Sequence, residues 1–66
     1  MAAGYTVIGL DIDGFDVAGG NEWDTFREAD KAARRLVTER EAIDAGMHKV
    51  EIHNVQGECV RDYFVK

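Results

Sequence analysis

The spacing of apolar residues changes twice along this chain, and this change limits the folds that the chain can adopt. Apolar residues alternate in residues 5–12 and again in residues 49–53, which indicates β-strands. Between them, residues 26–43 carry apolar side chains at helical spacing. Because one helix covers only one face of a sheet, the pattern predicts a single α+β domain over residues 1–66, with a helix on one face of an antiparallel sheet of three to four strands.

The first part of the chain predicts a strand that continues into a hairpin. Alternate residues from 8 to 12 share one face of the predicted strand, and we expect this face to be buried. The Asp-Gly pair at 13–14 favours a two-residue type I′ turn, after which residues 15–17 return as a short second strand. Residues 19–21 are Gly-Gly-Asn, a composition typical of a loop.

The middle of the chain predicts a helix with an interruption. Thr25 and Glu28 have the spacing of a capping box, in which the Thr25 hydroxyl accepts a hydrogen bond from the Glu28 backbone N–H. The same spacing recurs from Thr38, so we expect the helix to break near Val37 and to restart as a short turn of helix. Gly46 is expected to end it, because glycine adopts a left-handed conformation without strain.

The last part of the chain predicts two strands, over residues 49–53 and 58–65, joined by a turn at 54–57. The predicted core combines one face of each strand with the apolar stripe of the helix. Its members are Ile8, Leu10, Ile12, Phe26, Ala29, Ala33, Leu36, Ile43, Val50, Ile52, Val60 and Phe64.

The small size of the chain raises the question of what reinforces its fold. A chain of 66 residues buries only about 60% of its unfolded surface. Cys59 is the single cysteine, so no internal disulfide forms and the chain fits a reducing compartment. No Cys/His spacing typical of structural zinc is present, and we expect neither a metal nor a cofactor. Self-association is left as a reinforcement, through the apolar patch expected on the sheet face opposite the helix: Tyr5, Val7, Cys59, Tyr63 and Val65.

The negative charge of the chain is concentrated in its first half. The formal net charge is −5, while the acids and bases of residues 34–66 balance. A concentrated acidic face on a small domain suggests a basic protein surface as partner, and it disfavours binding to nucleic acid. The residues predicted to bind the partner are Asp11, Asp13, Asp16, Glu22, Trp23, Asp24, Glu28 and Asp30.

Two aromatic residues, Phe15 and Trp23, lie among these acids. An aromatic side chain flanked by carboxylates is a common anchor at protein interfaces, because it buries a large area at low entropic cost. The alternative is that both side chains cover the small core at the edge of the sheet. No apolar run approaches the length of a membrane span, and the first residues lack the pattern of a signal peptide. We therefore expect a soluble, cytoplasmic protein.

Two motifs in the acidic half suggest other chemistry. Residues 10–14, Leu-Asp-Ile-Asp-Gly, are similar to the first motif of haloacid-dehalogenase-type phosphatases, where the first Asp is the nucleophile and the second the acid/base, aided by magnesium. The resemblance covers five residues and the chain has no room for the remaining catalytic groups, so we expect no enzyme. Asp11, Asp13 and Asp16, with Glu22 at the twelfth place, also resemble a calcium loop, but Phe15 and Asp16 occupy the fifth and sixth places, which need an oxygen ligand and a glycine. A weak site for a divalent ion is the alternative left by this pattern.

One pattern of residues extends over about two-thirds of the chain: Glu28-Ala29 and Ala32-Ala33 on the predicted helix, then residues 49–52, Asn54, Gly57 and Tyr63 in the terminal hairpin. In this pattern the layout as a whole resembles the small phage-encoded anti-CRISPR proteins of type I systems. The resemblance implies a non-enzymatic inhibitor that blocks the DNA-binding surface of a CRISPR effector complex, with carboxylates in the place of phosphates.

A second pattern lies in the first half of the chain: residues 5–7, then Asp13-Gly14-Phe15 and Gly20, then Thr25, Glu28-Ala29 and Ala32-Ala33. In this order of strand, loop and helix the chain resembles HicB-type antitoxins. Those proteins usually carry a proline before the loop glycine and a DNA-binding segment, and this chain has neither. The resemblance leaves an antitoxin-like or dimeric structural module as the alternative to an inhibitor.

Overall fold

The computed structural model describes residues 4–66, and the first three residues, which belong to the segment without a signal-peptide pattern, lie outside the described residues. The elements, in chain order, are β1 (Tyr5–Asp11), β2 (Asp16–Trp23), α1 (Phe26–Leu36), α2 (Arg40–Asp44), β3 (Met47–Asn54) and β4 (Cys59–Phe64). The strands form one antiparallel sheet in the order β2-β1-β3-β4. The helices pack on it, which confirms the predicted α+β architecture. No helix within residues 4–66 is long and apolar enough to cross a membrane.

Helix α1 begins and ends where its sequence predicts. The Thr25 hydroxyl oxygen accepts a hydrogen bond from the Glu28 backbone N–H at 3.2 Å, so Thr25 is the N-cap. The helix stops after Leu36, and the short α2 follows, as the repeated capping pattern predicts. The N-cap of α2 is Glu39 rather than Thr38, whose hydroxyl instead donates to the Arg35 carbonyl oxygen at 2.9 Å. The polypeptide leaves α2 through Gly46, at φ +105°.

The core lies between α1 and one face of the two central strands. Val50 and Ile52 of β3 are fully buried, and so are Ala29 and Ala33 of α1, as predicted. In β1 the prediction has the wrong face: Val7 belongs to this cluster and Tyr5 packs against it, whereas Ile8 is only half-buried and Leu10 is buried outside it. Both faces of this strand carry apolar residues, so alternation alone did not decide which one meets the helix.

Gly9 explains why the face with fewer large side chains is the buried one. It lies on the same face as Val7, opposite Val50 in the register. A Cβ atom at Gly9 would lie 2.6 Å from the Met47 sulfur, so the missing side chain makes room for Met47. Met47 is 4% exposed and fills the core at this point. Gly9 is therefore the position at which Met47 of β3 packs closely against β1.

In the last strand, too, the face that packs against the core is the opposite of the one predicted. Tyr63 and Val65 pack against the core, while Val60 and Phe64 are exposed. The apolar patch proposed for self-association is therefore not formed, because Tyr5, Val7, Tyr63 and Val65 lie on the helix side. Cys59, by contrast, is exposed.

The β1–β2 hairpin differs from the prediction in both its turn and its second strand. No residue other than glycine has a positive φ within residues 4–66, so Asp13 does not form the predicted type I′ turn, which requires positive φ at both positions. Residues 12–14 form a three-residue loop closed by a bond from the Asp11 N–H to the Phe15 carbonyl oxygen. Ile12, expected in the core, lies in this loop and is 78% exposed.

Strand β2 runs through the glycines that were predicted to be a loop. Val7 lies opposite Asn21 and the next residue, Ile8, lies opposite Gly19, so Gly20 is the extra residue of a β-bulge. Gly19 and Gly20 both have positive φ, at +83° and +93°. A Cβ atom at Gly19 would lie 2.7 Å from the Val7 carbonyl oxygen, so this position needs glycine.

Candidate functional site

The loop between β1 and β2 presents a rigid acidic surface, which we call the hairpin tip (residues 11–16). The Asp11 carboxylate accepts hydrogen bonds from the backbone N–H groups of Asp13 and Phe15, each at 2.9 Å. The Gly14 N–H donates to the Asp11 carbonyl oxygen at 3.0 Å. Two hydrogen bonds to the Asp11 carboxylate and two bonds of the Asp11 backbone thus fix the loop, so Asp11 is the residue that organises it.

Two large apolar side chains project from the hairpin tip into solvent. Ile12 is 78% exposed and Phe15 is 70% exposed. Asp13 and Asp16, both exposed, flank Phe15 in the sequence. The tip therefore combines two apolar groups with negative charge, on a backbone that is already ordered. Of the two predicted aromatic residues, Phe15 is the one available as an anchor.

The remaining predicted acids are spread over other parts of the molecule. Glu22 and Asp24 lie at the end of β2 away from the tip, and Glu28 is part of the helix cap. Asp30 is 9% exposed, receives a hydrogen bond from the Tyr63 hydroxyl and pairs with Arg34 at 3.1 Å. The structure therefore does not assemble the eight predicted residues into one face.

Trp23 packs against the core and also lines an open groove of about 650 Å³ between α1 and β2. Its indole Nε1 is buried without a hydrogen-bond partner among the described residues. The floor of the groove is apolar, with Val7 and Leu36 among its lining residues. Its charged lining residues balance in sign: Glu28, Glu39, Lys31 and Arg35. The groove therefore does not share the acidic character of the hairpin tip.

The sheet face away from α1 carries a row of charged side chains along β3. The Lys49 ammonium lies 2.7 Å from one Glu51 oxygen, and His53 Nε2 lies 2.7 Å from the other. The hydrogen bond from Lys49 and the one with His53 hold the pKa of Glu51 below its usual value, against a smaller effect of burial. Glu51 is therefore a carboxylate held between two cationic or hydrogen-bonding partners.

Cys59 joins this row from the neighbouring strand. It lies directly opposite His53 in the register of β3 and β4. Although the residue as a whole is exposed, partial desolvation raises the pKa of its thiol, and the nearby charge of Glu51 adds to the effect. Ligand atoms of Glu51, His53 and Cys59 all lie within 4.8 Å of one another. Among residues 4–66, this is the one group of three histidine, cysteine or acidic side chains whose ligand atoms lie close enough to share a metal ion.

Sequence spacing did not reveal this cluster, because His53 and Cys59 meet only across a hairpin. The signal that points to it is the turn. The Asn54 side chain accepts hydrogen bonds from the Gln56 and Glu58 backbone N–H groups, at 3.0 and 2.9 Å. An asparagine and a glycine within four residues fix where the hairpin reverses, and that sets which residues of β3 and β4 are opposite.

Comparison with known proteins adds no functional assignment. No protein-family model, curated protein or solved structure matches the chain.

Proposed function

We propose that this chain is a non-enzymatic inhibitor that binds the basic, nucleic-acid-binding surface of a partner protein through the hairpin tip. The observation that supports the proposal is the exposure of Ile12 and Phe15 beside Asp13 and Asp16 on a loop that Asp11 holds in place. A protein that needed only solubility would gain nothing from two large apolar side chains in solvent.

The physical advantage of this arrangement is that little order has to be gained on binding. Ordering a flexible loop and its side chains costs free energy that is lost from affinity, and a loop already fixed by hydrogen bonds avoids much of that cost. Phe15 supplies the apolar area that a tight contact needs. The carboxylates attract a basic groove, speed association and compete with phosphates for the same Lys and Arg side chains.

The resemblance to anti-CRISPR proteins makes a CRISPR effector complex the first partner to test. Such a complex holds nucleic acid in a basic channel, and a tip that carries three acids and an exposed aromatic side chain has the charge to enter it. In this proposal the interface is the hairpin tip rather than the whole acidic half. Glu28 and Asp30 then stabilise the fold, because the Glu28 carboxylate accepts a hydrogen bond from the N-cap Thr25 and the Asp30 carboxylate pairs with Arg34 and Tyr63.

The test compares variants of equal charge change. Asp13→Asn/Asp16→Asn neutralises the tip, and Glu22→Gln/Asp24→Asn neutralises two acids at the other end of β2. Each tagged variant, the parent and Phe15→Ala are used to capture proteins from a host lysate, and the captured proteins are quantified by mass spectrometry. The partner should be captured by the parent and the Glu22/Asp24 variant, and lost with both tip variants. Binding of the purified partner should weaken as salt rises, since charges are screened beyond ~10 Å at 0.1 M ionic strength.

A thermal melt of each variant is the control for folding. We expect all four proteins to melt within a few degrees of one another, because none of the changed side chains lies in the core. Equal loss of the partner with both double variants would show that net charge, and not the tip, decides binding. Capture that survives all the changes would contradict the proposal.

A further inference from the structure

The β3–β4 hairpin brings a sulfur, a nitrogen and an oxygen ligand together on the sheet face away from α1. His53 and Cys59 are opposite each other, and Glu51 is two residues before His53 on the same face of β3. The side chains of Glu51 and His53 are 15% and 26% exposed, so the row is largely shielded by its neighbours, while Cys59 opens it to solvent. The three side chains lie on the face of the sheet opposite the core. They are near the β3–β4 turn, at the end of the sheet opposite the hairpin tip.

We propose that Glu51, His53 and Cys59 bind a zinc ion or a similar divalent transition-metal ion. Zinc binds cysteine sulfur, histidine nitrogen and carboxylate oxygen at about 2.0–2.3 Å, almost always in a tetrahedron. Such a tetrahedron separates its ligand atoms by about 3.4 Å. Binding of the ion would lengthen the 2.7 Å contact of His53 Nε2 with Glu51 Oε1, and the ligand atoms of all three residues already lie within 4.8 Å of one another.

The donor set selects the class of ion. Magnesium and calcium prefer oxygen ligands alone, whereas thiolate and imidazole favour zinc and its neighbours in the first transition row. Three protein ligands leave one tetrahedral position for water or an exogenous group, on the open side of the sheet. The bound ion would link β3 to the edge strand β4, whose residues are mostly exposed.

Lys49 adds a positive charge beside this site. Its ammonium group pairs with the Glu51 oxygen that does not face His53, at 2.7 Å. The pair orients the carboxylate and also places a positive charge near the ion. Asp62, opposite Glu51 in β4, is the nearest acid on the neighbouring strand to offset it. Removal of the Lys49 charge should therefore strengthen metal binding.

The first test is a titration of the reduced, metal-free chain with cobalt(II), which reports its ligands by absorption. One cobalt ion per chain should bind, with a thiolate-to-metal charge-transfer band and the visible bands of tetrahedral coordination, and zinc should displace it. Cys59→Ala should abolish the charge-transfer band. His53→Gln and Glu51→Gln should each weaken binding at least about tenfold, since loss of even an outer-shell partner costs about 10–100-fold.

His48→Gln is the matched control, because His48 lies on the same strand and faces Phe64 rather than the triad. It should leave the affinity unchanged, and Lys49→Gln should tighten binding. A second readout needs no change in the triad: the chain has two histidines, so the proton NMR signals of His53 should shift with zinc while those of His48 stay. The His48→Gln spectrum assigns the two sets of signals.

Three outcomes would overturn the proposal. The first is the absence of saturable cobalt or zinc binding. The second is a His53→Gln variant that binds cobalt as tightly as the parent and keeps the charge-transfer band, which would show that the thiol binds the ion without His53. The third is one ion for every two chains, which would place Cys59 of two copies on a shared ion. Circular dichroism of each metal-free variant establishes that it is folded before it is titrated.

Discussion

At the scale of single residues, Asp30 shows how a surface charge predicted from sequence becomes part of the fold. Its carboxylate is buried in α1, accepts a hydrogen bond from the Tyr63 hydroxyl of β4, and pairs with Arg34. We expect Tyr63→Phe to destabilise the chain by about 1.5–3 kcal/mol, because it removes a bond to a buried charged group. Arg34→Gln should cost at most about 1 kcal/mol, since the Arg34 side chain is 66% exposed. Urea unfolding measures both, and the reverse order would contradict this account.

Thr25 is the residue on which the start of α1 depends. Its hydroxyl caps the Glu28 N–H and in turn donates to the Glu28 carboxylate, each at 3.2 Å. Thr25→Ala should cost ~1 kcal/mol, which lowers the melting temperature of a domain of this size by about 4–8 °C. Thr38→Ala is the control: its hydroxyl caps no helix N-terminus, and the melting temperature should fall less. An equal effect of the two changes would mean that the cap of α1 is not special.

At the scale of elements, strand β2 depends on one of its two adjacent glycines more than on the other. Both Gly19 and Gly20 have positive φ, so alanine at either position should cost about 1–2 kcal/mol in backbone strain. A Cβ atom at Gly19 also meets the Val7 carbonyl oxygen at 2.7 Å, whereas at Gly20 nothing lies within 4 Å. We expect Gly19→Ala to be clearly more destabilising than Gly20→Ala in thermal unfolding. Equal midpoints would show that the bulge shifts to accommodate the methyl group.

The sequence predicts the buried face of an element correctly where only one face is apolar. It does not do so where both faces of a strand carry apolar residues. The caps and apolar stripe of α1, and the buried face of β3 at Val50 and Ile52, follow from local pattern alone. Strand β1 offers apolar residues on both faces, and the choice is made by the fit of Met47 against Gly9, which is a contact between distant residues. The same limit hid the metal-binding cluster, because the pairing of His53 with Cys59 is set by strand register.

At the scale of the whole molecule, the two faces of the sheet differ in composition: one is apolar and packs against α1, and the other is charged. The face toward α1 holds the apolar cluster around Val50, Ile52 and Val7. The other face holds the charged row of Lys49, Glu51 and His53. Because no member of the metal-binding triad belongs to the core cluster, the fold and the metal site should be separable by experiment.

This separation leads to a prediction for the stability of the chain with and without metal. In excess EDTA the circular dichroism spectrum and the cooperative melt should persist, because the core of β1, β3 and α1 contains no ligand residue. Zinc at about 100 times its dissociation constant should then add about 2.7 kcal/mol, or on the order of 10–20 °C in melting temperature. The Cys59→Ala variant should melt like the parent in EDTA and gain nothing from zinc. Loss of structure on chelation would show that the core cannot sustain the fold alone. If zinc leaves the melting temperature of the parent chain unchanged, the proposed metal site is wrong, and the fold stands as described.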